Sequence, residues 1–142
     1  NPDRLDFDAY FQDYCQAGFG AAAPEIMRYF ELLEKTNDKA AAKGADLGEL
    51  FDEALIANLQ KHLDAARALA AGDAAVLERI AFLQTGLDAG KLNRALYLAK
   101  GKKSPEYRQL QEQFMEFLRD NARKNPVAMN PMYTGFYNSF IK

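Results

Sequence analysis

The chain holds one cysteine, Cys15, one histidine, His62, and no tryptophan. A single thiol excludes an intrachain disulfide and leaves the redox compartment open. A single imidazole removes every metal site or triad that needs two histidines, and a di-iron bundle fails as well, because Leu59 stands three residues before His62 where a Glu is required. No apolar run approaches the ~20 residues needed to cross a bilayer, and the amino end shows no charged segment followed by an apolar one. An excess of one charge is missing too. Eighteen basic and 20 acidic residues give a formal net charge of −2, which supplies no general pull toward nucleic acid or anionic lipid. Neither nucleic acid nor membrane is an expected partner.

What is present is an ordinary globular composition, 49% hydrophobic and 27% charged, which argues against intrinsic disorder. A chain of 142 residues has the size of one domain. At that length a fold buries roughly 68 to 70% of its unfolded surface without metal or disulfide. Strand-like alternation is absent over any useful length, and no repeat of 30 to 45 residues is found. The expectation is a single all-α domain over residues 1–142, an up-and-down bundle of about five helices ending in an irregular aromatic tail.

The first helix is predicted over 7–17, with Asp6 as N-cap, Leu5 stapled onto Tyr10, and Tyr10, Phe11, Tyr14 and Cys15 as its buried stripe. Gly18 and Gly20 end it. Pro24 opens a second helix, whose inner face is Met27, Phe30 and Leu33 or Glu34 and which stops between Thr36 and Asp38, before an Ala-rich stretch from Lys39 to Ala45 read as a linker in preference to a frayed helix end. Asp46 and Glu49 have capping-box spacing and start one long helix through Leu69, with Leu55 in the core. Gly72-Asp73 turns the chain into a fourth helix facing inward through Leu77, Ile80, Leu83 and Leu87, and a connection this short makes an antiparallel hairpin. Gly101-Lys102-Lys103 forms a turn, Ser104-Pro105 starts a fifth helix carrying Tyr107, Leu110, Phe114, Phe117 and Leu118, and Asn125-Pro126 ends it.

Chemistry-bearing patterns are few. His62 has a surface or half-buried structural role in this reading. The stretch from Asp38 to Glu49 has the length of a calcium loop, but Ala40 and Ala42 replace ligands and Lys43 stands where glycine is needed. Gly18-Phe19-Gly20 follows a helix instead of a strand, so it is a helix-to-helix turn and not a phosphate cradle. Carboxylate pairs such as Glu31 and Glu34 fit solvated helix faces. Glu78, Arg79 and Gln84 are read as helix-surface polar contacts, with hydrogen bonds to a neighbouring element as the lesser alternative. No catalytic residue, cofactor-binding residue or metal ligand is predicted. Tyr133, Phe136, Tyr137 and Phe140 in the tail are the candidate interdomain interface, with folding back over the bundle as the equal alternative, since each aromatic ring offers an apolar face to a neighbour or a sugar.

The run Asn1-Pro2-Asp3-Arg4-Leu5-Asp6-Phe7-Asp8, then Tyr14-Cys15, Gly18-Phe19-Gly20-Ala21-Ala22-Ala23-Pro24 and Met27-Arg28-Tyr29-Phe30, resembles the carboxy-terminal helical region of a group of glycoside-hydrolase-like proteins. That group is distantly related to α-glucuronidases and β-N-acetylhexosaminidases, and many members carry only a domain-of-unknown-function label. The segment from Glu78 to Leu87 resembles the second long hairpin of the same region. The matched motifs are helix starts, turns and packing positions, so no family catalytic residue maps onto this chain. The resemblance implies an accessory domain that buttresses an upstream catalytic (β/α)8 barrel of the same polypeptide, takes part in self-association, and belongs to a secreted or periplasmic protein. The start at Asn1-Pro2-Asp3, without an initiator Met, is in turn expected to be internal to a longer chain.

Overall fold

The computed structural model describes residues 6–44, 47–99 and 104–124. Within them the chain is all-α: α1 (Phe7–Phe19), a 3-10 turn (Gly20–Ala22), α2 (Ala23–Lys43), α3 (Leu47–Leu50), α4 (Glu53–Leu69), α5 (Ala74–Ala99) and α6 (Pro105–Lys124). The sequence predicts about five helices, and six α-helical segments are found because the stretch expected to be one helix from Leu47 to Leu69 divides in two. Its working N-cap is Asp52, whose carboxylate accepts from the Leu55 N–H at 2.8 Å. Asp46 and its expected box lie outside the described residues.

Most helix starts follow the local chemistry. Asp6 caps α1 by accepting from Ala9 N–H at 3.3 Å, Asp73 caps α5 by accepting from Val76 N–H at 3.1 Å, and Ser104 caps α6 by accepting from Tyr107 N–H at 3.3 Å. Pro24 stands in the first turn of α2, where no N–H is needed. Gly20, at φ 51°, lets α1 stop while its N–H still bonds to the Gln16 carbonyl. The Ala-rich stretch does not act as a linker: α2 runs on through it to Lys43 and ends at Gly44, a left-handed cap at φ 59° whose N–H bonds to the Ala40 carbonyl. Alanine has the highest intrinsic helix propensity, so a segment without large apolar residues continues a helix already nucleated.

The chain divides into two compact units, Asn1–Gln84 and Thr85–Lys142, with α5 contributing 74–84 to the first and 85–99 to the second. In the first unit α2 packs on both α1 and α4, and Ile26, Leu59, Leu63, Ile80 and Cys15 are fully buried. Tyr29 is buried beside them, and Phe11 on α1 meets Phe30 on α2 edge-to-face at 5.8 Å. The inner face of α2 is therefore set by Ala23, Ile26 and Tyr29, rotated by about one residue from the predicted one, with Met27 half-buried. Leu55 and Leu83, predicted in the core, are also only half-buried. In the second unit Phe114, Met115 and Leu118 of α6 are buried, and Leu92, Leu96 and Phe117 pack against them. Leu5, Gly101-Lys102-Lys103 and the aromatic tail lie outside the described residues.

Candidate interaction surface on the first helix

Each residue of an α-helix turns the chain by ~100°, and this fixes what α1 shows to its surroundings. Cys15 and Phe19 are buried, and Phe11 lies beside them against Phe30. Phe7, Tyr10 and Tyr14, spaced three and four apart, fall on a second stripe roughly a third of a turn away. That stripe faces water: Phe7 is 68% exposed, Tyr10 60% and Tyr14 58%. The expectation that Tyr10 and Tyr14 are buried is thereby corrected. Helical spacing is satisfied equally by Phe11, Cys15 and Phe19 and by Phe7, Tyr10 and Tyr14, and one helix cannot turn both stripes to the same core.

Only part of the exposed stripe is braced. Phe7 stacks parallel on Phe11 with ring centroids 6.2 Å apart. An aromatic side chain buries 150–250 Å2 when fully enclosed, so three rings more than half exposed leave on the order of 300 to 450 Å2 of apolar surface on one helix. A contiguous patch of that size matches the largest one on a typical monomer, which is often functional, whereas single scattered apolar side chains are not informative.

Charge on α1 is of one sign. Asp6, Asp8 and Asp13 are all exposed, and no lysine or arginine occurs between Arg4 and Arg28. Asp6 serves as the cap, while Asp8 and Asp13 form no ion pair among the described residues. On the helical projection Asp6 and Asp13 share the edge of the aromatic stripe next to Tyr10.

Other polar groups of this unit hold helices to one another. His62 Nδ1 on α4 lies 2.7 Å from Glu25 Oε2 on α2, both half-buried, and Arg28 pairs with the other Glu25 oxygen. The hydrogen bond from His62 is the main reason that the Glu25 carboxyl sits below its ordinary range, and the charge of Arg28 adds to it against the opposing effect of partial burial. Gln60 on α4 and Gln84 on α5 exchange two amide hydrogen bonds, at 2.8 and 2.9 Å. Arg67 donates to Gln84 Oε1 at 3.3 Å and to Asp64 at 2.9 Å. Arg79 donates to the Gly18 carbonyl at 2.7 Å, satisfying an orphan acceptor at the C-terminal end of α1. Arg79 and Gln84 thus make cross-element bonds, which corrects the expectation of surface contacts for them, and Glu78 makes none among the described residues.

A shallow open groove of about 300 Å3 lies between α1 and α2, lined by Gln12, Gln16, Ala23, Pro24, Met27, Arg28 and Glu31. It is not enclosed, and no side chain in it is both buried and without a hydrogen-bond partner. Among the described residues no group of three or more His, Cys, Asp or Glu is placed to hold a metal ion, and no helix is long and apolar enough to cross a membrane. Tyr133, Phe136, Tyr137 and Phe140, the predicted interface, lie outside the described residues. The exposed stripe was not foreseen in the sequence, and charge does not mark it: Asp13 lies beside Tyr10, but Asp8, seven residues before Cys15, lies on the buried stripe. No family model, curated protein or solved structure matches the chain.

Proposed function

We propose that the chain is a non-catalytic helical accessory domain that docks on protein through the outer face of α1. The observation that supports this reading is the exposure of Phe7, Tyr10 and Tyr14 on one stripe while the same helix buries Cys15 and Phe19 against its own unit. Aromatic residues are the enriched anchors of protein interfaces, because a rigid ring contributes a large contact area at little entropic cost. From the resemblance to glycoside-hydrolase-like proteins, an upstream catalytic barrel on the same polypeptide is the first partner in this reading, and carbohydrate metabolism is the proposed setting of the parent. The alternative is a stand-alone interaction module that meets a separate protein or a second copy of itself; the same exposed face serves that role.

Two measurements on the natural gene product separate these settings. Its intact mass is compared with the 15.9 kDa of this chain, and the oxidation of Tyr10 and Tyr14 by hydroxyl radicals is compared in the two polypeptides. A larger product in which both tyrosines are protected supports the accessory domain. A larger product in which they are modified as fast as in the 142-residue chain defeats the contact with a neighbouring domain.

A further inference from the structure

We infer that the partner of α1 is a basic amphipathic segment, one that lays an apolar stripe along Phe7, Tyr10 and Tyr14 and sets Lys or Arg beside Asp6 and Asp13. The inference rests on the docking reading above and adds the chemistry of the occupant.

Three observations carry it. The first is charge: every ionised side chain on α1 and at its cap is negative, and Asp8 and Asp13 have no ion-pair partner among the described residues. A partner bearing carboxylates would meet uncompensated like charge on approach, while a cationic one is steered in and fixed in register. The second is position. Asp6 and Asp13 are seven residues apart, about two turns or ~10 Å along the helix, and lie on the same edge as Tyr10. A cation placed at that edge reaches a carboxylate and the face of a tyrosine ring together, which adds cation–π attraction to the ion pair. The third is size. The apolar strip is two turns long and offers roughly half of the ~800 Å2 that each side of a standard protein interface buries, which suits a single helical segment, whether it belongs to a neighbouring domain or to a separate protein.

The test titrates the 142-residue chain with two synthetic 18-residue amphipathic peptides that share one leucine face and differ only in polar positions, all Lys in one and all Glu in the other. Binding is followed by amide chemical shifts at low salt. The expected result is that the Lys peptide binds about tenfold or more tightly than the Glu peptide, with the largest shifts in α1, and that added salt reduces the difference. Tyr10→Ala with Tyr14→Ala weakens binding several-fold while circular dichroism stays unchanged, as both rings are exposed. Asp13→Lys and the gentler Asp13→Asn each reduce the preference for the Lys peptide, and Asp120→Lys on α6, with the same change in net charge as Asp13→Lys, does not.

Equal binding of the two peptides, still dependent on Tyr10 and Tyr14, overturns the basic partner and leaves the docking surface standing. Binding indifferent to the tyrosines, or no binding of either peptide, overturns both. So does perturbation of Tyr10 and Tyr14 by a soluble oligosaccharide when neither peptide binds.

Discussion

Glu25 Oε2 and His62 Nδ1 meet at 2.7 Å across the α2–α4 contact, joining residues that are 37 positions apart in the chain. The lone histidine of the sequence is thus tied to the start of α2, where the helix dipole also favours a carboxylate. Its role is to hold two helices in register.

This pair sets a pH dependence on the acid side. The folded Glu25 carboxyl lies below its unfolded value, so its contribution to stability is complete above the ordinary carboxylate range and is lost as pH falls through the lowered folded value. Glu25→Gln should cost roughly 1 kcal/mol near neutral pH, at the low end for a hydrogen bond to a charged group because the pair is partly open to water. The gap to the parent protein should narrow as pH falls below the ordinary carboxylate range and close at an acid pH below the lowered folded value, where the Glu25 carboxyl is neutral. Thermal melts of both proteins at the two pH values check this, and a gap that stays constant would remove the carboxylate from the explanation.

The core positions order themselves by burial. Leu63→Ala or Ile80→Ala, at side chains with no exposed surface, should cost about 2 to 5 kcal/mol in denaturant unfolding, and Leu55→Ala or Leu83→Ala clearly less. Leu63→Asp should abolish cooperative unfolding, because a buried unpaired charge costs several kcal/mol against ~5 to 15 in total. At Leu55 and Leu83 an Asp reaches water, so those two variants should still melt cooperatively.

Two glycines should respond in opposite directions. Gly72 turns the chain between α4 and α5 at φ 93°, outside the range of a residue with a Cβ, and Gly72→Ala should destabilise by about 1 kcal/mol. Gly86 sits inside α5 with helical backbone and nothing within 4 Å of an added Cβ, so Gly86→Ala should stabilise by about 0.5 to 1 kcal/mol. Equal signs in paired melting experiments would contradict the assigned backbone geometry.

The reciprocal amide pair should behave as a unit. Gln60→Leu or Gln84→Leu alone removes one partner from two hydrogen bonds and should cost about 1 to 2 kcal/mol, while the double variant should cost less than the sum. A double-mutant cycle by chemical denaturation measures the coupling, and additive costs would show that the two amides do not support each other.

The helix starts were legible in the sequence because a cap is local: Asp6, Asp73 and Ser104 each act on an N–H three residues away, and Pro24 needs only its own ring. Periodicity also identified Ile80 and Leu118 as inward-facing, the latter because α6 carries one dominant apolar stripe. It failed on α1, where two apolar stripes compete and only packing against Phe30 decides between them. Asp46 and Asp52 present a similar choice of start, and propensity does not rank one above the other. The linker reading of Lys39 to Ala45 mistook a lack of large apolar residues for a lack of helix. The link between Glu25 and His62 has no sequence signature, because nothing local brings position 25 to position 62.

Burial of Cys15 gives the molecule an internal clock. Its Sγ belongs to the only thiol in the chain, no part of the residue is exposed, and burial pushes the thiol's pKa up, so little thiolate is present and none of it is within reach of a disulfide reagent. Modification then has to wait until α1 lifts from the core of its unit. Where closing outpaces the chemistry, the ratio of the labelling rate to that of an unstructured thiol gives the free energy of that opening, and where it does not, the rate is that of the lifting itself. The helix that presents the outer aromatic face therefore reports its own detachment without an added probe.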